Sequence, residues 1–277
     1  MRRIEPKPEP GTRFFFSQLP SWAGFQSGNG ALIRSIYRDP SIASYFYTQF
    51  SESTAAARPC RFLYWDGREL APLYPSDPRR FLQVGADLLA MDRLEGARHA
   101  FRRSLEAGES QAASLYWLGW TELWLLRRGA AEAAWKQFGA RDDTTTWMLE
   151  MRRARQALND NRDTLAARRA LAAAIRSGIG LPEAHAVLGQ LLLRDDPKFA
   201  ILELKVAAFL KPDDWVTRRD LAIGFYRSGQ DDDARLQMAQ LAVLGFDWRT
   251  DSLLVAAART MERRSMSGIS VAEFGEE

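Results

Sequence analysis

Cysteine is nearly absent from this chain: Cys60 is the only one in 277 residues. No intrachain disulfide can form, and no cysteine-based metal cluster can be assembled. Histidine is almost as scarce, with only His99 and His185, which thins the field for acid–base catalysis near neutral pH. Lysine is rare too. Lys7, Lys136, Lys198, Lys205 and Lys211 are the only lysines among 38 basic residues, so nearly all positive charge is arginine. Arginine suits ion-pair networks and planar, bidentate contacts to carboxylates, although a genome-wide codon bias would give the same imbalance. No apolar run approaches the roughly 18 residues that a membrane span needs. Residues 1–10 are charged and proline-rich and lack the apolar stretch of a secretory signal. The chain as it stands therefore reads as cytoplasmic by default, and as extracytoplasmic only if it is a piece of a longer protein.

Hydrophobic residues at 46% and charged residues at 26% are enough to bury a core and keep a polar surface. The pI of about 9.1 rests on a net charge of only +3. Nucleic-acid binders concentrate positive charge on one face, so a small overall excess is a poor argument for that class.

Composition divides the chain. Residues 1–11 read as a disordered lead, because Pro6, Pro8 and Pro10 alternate with charges and offer nothing to bury. Residues 12–75 are rich in aromatics, glycine and proline and read as a small α/β module. Within it, Arg13–Phe16 predicts a buried strand, and Tyr45–Phe50 predicts another on β-propensity. Gly28-Asn29-Gly30 predicts a helix start with Asn29 as N-cap, and Asp39-Pro40 a stop. Asp66-Gly67 between Arg61–Trp65 and Arg68–Leu70 predicts a two-residue hairpin turn. Three or four strands with one helix form too small a core to stand comfortably alone, so the module is expected to lean on the helices that follow.

From residue 78 to 262 the pattern is helical and it repeats. Val84-Gly85, Ala97 and Phe101 recur as Leu118-Gly119, Ala131 and Trp135, with Gly85 and Gly119 34 residues apart and Ala97 and Ala131 again 34 apart. A third, degenerate unit runs through Met151, Ala154, Leu158, Ala167, Leu171 and Ala174. A fourth holds His185, Leu188-Gly189, Ala200, Leu204 and Pro212, and a fifth Leu221-Ala222, Phe225, Ala234 and Met238. Thr250–Met261 predicts one more amphipathic helix as a cap, leaving 263–277 as a tail. A small residue on the first helix of each unit lets the second approach closely, and no unit can bury its apolar face alone. This pattern resembles the tetratricopeptide family. The resemblance implies a mainly α fold: a right-handed α-solenoid of about five helix pairs plus a capping helix, preceded by the α/β module. More faintly, Phe14–Pro20, Gly24-Phe25-Gln26 and the helix start at Gly28–Gly30 resemble the soluble module that precedes repeats in some bacterial membrane proteins.

The motifs of catalysis are missing. Gly24–Gly30 lies where phosphate-cradling loops sit, yet no Lys-Ser or Lys-Thr follows and the third glycine of a dinucleotide fingerprint is replaced by Ile33. His185 falls at a packing position of its repeat and reads as a core histidine. Asp195-Asp196 and Asp231-Asp232-Asp233 sit where second helices begin, and there carboxylates cap free N–H groups. No catalytic, cofactor or metal residue is assigned, and the chain is expected not to be an enzyme.

The family resemblance implies that certain positions on each first helix line a binding groove. In the second repeat these are Tyr116, Trp120, Leu123 and Trp124, an apolar stripe expected to be covered by the N-terminal module. In repeats three to five they are Arg152, Gln156, Asn159, Gln190, Arg194, Arg219, Tyr226 and Arg227, a polar, arginine-rich lining suited to carboxylates. The resulting expectation is a non-catalytic adaptor or scaffold that binds a protein or peptide in the groove, with acidic partners suiting the lining. The alternatives are single-stranded nucleic-acid binding through arginine and aromatic residues, and an assembly module of a membrane-associated complex.

Overall fold

A computed structural model describes residues 1, 3–19, 31–56, 58–73, 78–106, 111–140, 143–159 and 162–272. The chain divides into two compact units, Met1–Phe138 and Gly139–Glu277. Each is taken by itself.

The first unit opens with a four-stranded sheet in the order β2-β1-β3-β4, built from β1 (Arg13–Ser17), β2 (Ala43–Phe46), β3 (Cys60–Trp65) and β4 (Leu70–Pro72). Strand β1 runs parallel to both β2 and β3, and β4 closes an antiparallel hairpin on β3. Helix α1 (Ala31–Tyr37) carries the chain from β1 across to β2. Side chains alternate across the strands, so the aromatic run Phe14-Phe15-Phe16 splits between two faces. Phe14 and Phe16 join Ile33, Ile42 and Leu63 beneath α1. Phe15 faces the other way and meets Phe62 and Tyr45, with ring centroids 5.2 and 5.5 Å away.

Four local features differ from the sequence-based expectations. The lead is held: Met1 and Ile4 pack on the sheet core, Tyr37 donates its hydroxyl to the Glu5 carbonyl at 2.7 Å, and Arg61 pairs with Glu5 at 3.0 Å. Two apolar side chains, a hydrogen bond and an ion pair thus fasten a charged, proline-rich segment. The strand predicted over Tyr45–Phe50 stops at Phe46 and turns into a 3-10 helix at Tyr47–Gln49. There the Gln49 side chain accepts from the Phe46 N–H at 2.9 Å. The hairpin connection spans four residues, 66–69, between the paired Trp65 and Leu70. Gly67 takes φ +99°, and Asp66 Oδ1 accepts the N–H groups of Arg68 and Glu69 at 2.8 Å each, so the carboxylate organises a wider turn. A further short helix, α2 (Glu52–Ala55), is capped by Ser51. The expected N-cap Asn29 and the Gly24–Gly30 loop lie outside the described residues.

Two helical hairpins complete this unit: α3 (Pro78–Ala90) with α4 (Leu94–Glu106), and α5 (Gln111–Trp124) with α6 (Arg128–Phe138). In each, the repeated glycine lies under the repeated ring. A Cβ placed on Gly85 would fall 2.6 Å from the Phe101 ring, and one on Gly119 would enter the Trp135 indole.

The module meets the first hairpin through its own aromatic face. The His99 imidazole of α4 lies 4.3 Å from the Phe50 ring and 4.7 Å from Phe62, and its Nδ1 is hydrogen-bonded to the Tyr47 hydroxyl at 2.6 Å. Around these rings, Gln18 donates to Asp87 of α3, and the buried Arg98 of α4 pairs with Glu52. Burial, reinforced by the nearby Arg103 and Arg102 charges, pushes the His99 pKa down from 6.5 to about 4.

The second unit holds three hairpins and a closing helix: α7 (Thr144–Asn159) with α8 (Thr164–Ser177), α9 (Pro182–Leu192) with α10 (Pro197–Leu210), α11 (Trp215–Arg227) with α12 (Asp231–Val243), and α13 (Ser252–Ala272). The glycine device returns at Gly189, where a Cβ would lie 2.6 Å from Leu204 Cγ. Asp163 and Asp196 cap α8 and α10 by accepting the Ala166 and Phe199 N–H groups at 2.9 and 3.3 Å. Asp231–Asp233 form the first turn of α12 rather than its cap. The capping helix starts at Ser252, because Asp251 accepts the N–H groups of Leu253 and Leu254, and it continues past 262 to Ala272.

This packing makes the cost of a single methyl group depend on where it is placed. Gly85→Ala should destabilise the protein by about 2 kcal/mol through overpacking. Gly129→Ala, where a Cβ meets open space, should be neutral or stabilise slightly, and urea unfolding of both variants checks the contrast. For His99, the unfolded chain binds a proton below about 6.5 and the folded site only below about 4. The unfolded state therefore holds more protons across that window, and stability falls by about 3 kcal/mol as pH drops from 6.5 to 4. Urea midpoints for wild type and His99→Asn across that range should diverge; identical pH profiles would refute this role for His99.

Candidate functional site

The aromatic stripe of the second hairpin is mostly interior. Tyr116 and Trp120 are buried, while Leu123 and Trp124 are half-buried. Trp120 meets Trp135 edge-on with ring centroids 5.0 Å apart, and Tyr116 lies 5.4 Å from Phe138. Both partners belong to α6, the second helix of the same hairpin. The module's contacts given above fall on Asp87, Arg98 and His99 of the first hairpin.

The positions expected to line the polar part of the groove belong to the second unit, on α7, α9 and α11 and just beyond the end of α9. Here the structure sorts the expected residues into two groups. Arg152, Gln156 and Asn159 of α7 are exposed, as are Gln190 of α9 and Arg194 just beyond its end. Among the described residues neither Arg152 nor Arg194 has an ion-pair or hydrogen-bond partner within the chain.

The other group is engaged in holding the fold. Arg219 Nε donates to Asp251 Oδ2 at 2.5 Å and its Nη1 to Asp220 Oδ1 at 2.8 Å. It thus ties α11 to the residue that caps α13. Burial pushes the Asp220 carboxyl above its ordinary value, against the pull of Arg219. Burial also acts to raise the Asp251 carboxyl, but the Arg219 contact and the Leu254 and Leu253 N–H groups outweigh it and hold it low. Arg227 is exposed, yet its Nη1 donates to the Leu193 carbonyl at 3.0 Å, joining α11 to the end of α9. Tyr226 is half-buried under Arg264 of α13, whose guanidinium carbon lies 5.3 Å from the ring centroid. The sequence reading missed Arg264. The helix predicted over Thr250–Met261 stopped short of it, whereas the observed helix runs on to Ala272.

Two buried polar pairs are found among the described residues: Ser114 and Ser104 in the first unit, 2.8 Å apart, and His185 and Glu203 in the second. His185 Nδ1 lies 2.7 Å from Glu203 Oε2 and its Nε2 lies 2.8 Å from the Ile179 carbonyl, inside the α9–α10 hairpin. This is a core position, as the sequence predicts. Burial pushes the Cys60 thiol up, away from the reactive thiolate. Among the described residues no group of three or more His, Cys, Asp or Glu side chains is placed to hold a metal ion, and no helix is long and apolar enough to cross a membrane.

The protein combines paired helices, a small residue facing a bulky one, and a register of 34 residues. The helical repeats are tetratricopeptide-like. Solved structures resembling the chain include YrrB, a TPR protein with an unusual peptide-binding site. It is 15% identical with a TM-score of 0.33, over 67% of this chain and 93% of that one. TTC0263, a thermophilic TPR protein of Thermus thermophilus, is 26% identical with a TM-score of 0.30, over 66% and 97%. The TPR domain of P58(IPK) is 16% identical with a TM-score of 0.38, over 71% and 67%. No protein-family model and no curated protein sequence matches the chain.

The two classes of arginine separate by experiment. Arg219→Ala breaks two contacts, both to partly buried carboxylates, and should destabilise the protein by about 1–3 kcal/mol. Arg152→Ala should stay within about 0.5 kcal/mol of wild type. Urea unfolding measures both, and equal losses would overturn this division.

Proposed function

We propose that this protein is a non-catalytic scaffold that holds a protein or peptide partner against the polar face of its second unit. The observation that carries this reading is that Arg152 and Arg194 are exposed and without a partner among the described residues, as Gln156, Asn159 and Gln190 are exposed. Guanidinium groups left in water on a rigid helical face present fork-shaped donors that match a carboxylate in two parallel hydrogen bonds. Amides beside them add donors and acceptors for a peptide backbone. The tetratricopeptide-like construction supports the same reading, since stacked helix pairs create long surfaces without needing a cofactor. The apolar stripe at Tyr116, Trp120, Leu123 and Trp124 packs in part against Trp135 and Phe138 of its own hairpin, and its cover by the N-terminal module stays part of this reading.

The test is affinity capture from a lysate of the source organism with wild type and with the Arg152→Ala/Arg194→Ala double variant, followed by mass spectrometry. A protein retained by wild type and lost from the variant, with unfolding midpoints unchanged, is the expected result. Retention of nucleic acid alone, with affinity falling steeply in salt, would replace this reading with single-strand binding.

A further inference from the structure

Strand β3 is six residues long and β4 only three, so β4 cannot cover the whole edge of its partner. It pairs with Leu63–Trp65, one further bond joins the Leu73 N–H to the Phe62 carbonyl, and among the described residues the ladder ends there. A cavity of about 380 Å³ lies at this part of β3, wholly within the first unit. Phe14, Phe62, Leu63 and Leu73 give it apolar walls, and Ile4 of the lead adds another. Glu5, Cys60 and Arg61 line it as well, together with Arg103 of α4.

Three charged groups therefore reach the cavity, and two of them answer each other. Arg61 Nε lies 3.0 Å from Glu5 Oε2, and its Nη1 donates to the Cys60 carbonyl at 3.2 Å. Arg103 carries the third charge. Its Nη1 donates to Glu106 Oε2 at 2.6 Å, but the Glu106 side chain is more than half exposed and does not line the cavity. The Arg103 Nε–H is buried and has no hydrogen-bond partner among the described residues.

A buried donor without an acceptor is costly, and an oxygen that accepts from it recovers the loss. A carboxylate oxygen accepts with charge assistance. Mostly apolar cavities of this size with a few fixed polar groups are the usual sites of small molecules. We propose that this cavity binds a small monocarboxylate with an apolar body, the carboxylate accepting from Arg103 Nε and the body lying against Phe62 and Leu73. A phosphate dianion would bring more charge than one guanidinium answers, and a sugar would bury hydroxyls against apolar walls. The site is separate from the scaffold reading, which concerns the second unit.

Cys60 supplies the readout, because it lines the cavity and is the only cysteine of the chain. Its rate of alkylation by iodoacetamide is measured on the full chain with 3-phenylpropanoate or octanoate, and with the amide of each, alongside calorimetric titration of the same compounds. At least one acid should bind with a Kd below about 1 mM and slow alkylation in proportion to occupancy. It should bind about tenfold tighter than its own amide, since only the acid makes a charge-assisted contact. Arg103→Met keeps an apolar stem without the donor. It should bring acid and amide to equal affinity with little change in the urea midpoint.

No binding of either acid, the result for a cavity that holds water alone, overturns the proposal. Binding that leaves the alkylation rate unchanged overturns it too, because the acid then sits elsewhere. Equal affinity of wild type for acid and amide, or a preference for acid that survives in Arg103→Met, removes the carboxylate from Arg103 and does the same.

Discussion

The close approach of a small residue on one helix to a bulky side chain on the next is the contact on which the helical part of this molecule depends. Gly85 beneath Phe101, Gly119 beneath Trp135 and Gly189 beneath Leu204 set how near the two helices of a hairpin can lie. That distance then decides which residues of the first helix turn inward and which remain on its free face. Ala97, Ala131, Ala167, Ala200 and Ala234 are all buried, each admitting a neighbour's side chain. Were these positions larger, the two helices of each hairpin would be forced apart.

The α/β module joins the helices by a different chemistry. Its sheet has two aromatic faces, and only one is satisfied within the module, by α1. The other is completed by His99, an imidazole kept neutral among Phe50, Phe62 and Tyr47. A polar ring suits this place because Nδ1 meets the Tyr47 hydroxyl while the ring faces pack as an apolar body would. The buried Arg98 with Glu52, and Gln18 with Asp87, place charged or polar pairs around the rings, so the contact has a defined register as well as apolar area.

In the second unit the arginines divide their labour. Arg219, Arg168 and Arg235 reach carboxylates or backbone carbonyls and fasten successive elements. Arg152 and Arg194 stay in water. A guanidinium can do either, because it carries five donors and remains charged at any ordinary pH. Which role each plays depends on whether an acceptor comes within reach. Arg227 stands between the classes, with one nitrogen on the Leu193 carbonyl and the side chain still exposed.

The repeat was legible because its physics is local: a glycine and a ring separated by one helical hairpin must recur wherever the same hairpin recurs. The third hairpin was fainter, since its buried positions Ala154, Ala157, Ala167 and Ala174 are all alanine and lack the glycine-and-ring spacing of the first two. The strands at Arg13 and Arg61 were legible from β-propensity, whereas the turn at Tyr47 was not, because that propensity takes no account of the Gln49 side chain accepting the Phe46 N–H or of the contact between Tyr47 and a histidine 52 residues away. The lead over residues 1–11 was misread for a like reason: composition weighs charge and proline, while two apolar side chains and one ion pair decided its place. By itself, then, the sequence determined the helix pairs, their close contacts and the abundance of arginine, all matters of residue type and spacing along the chain. Only the tertiary structure decided which arginines are engaged and which are free, because the acceptors Asp251 and Leu193 reach Arg219 and Arg227 from 32 and 34 residues away.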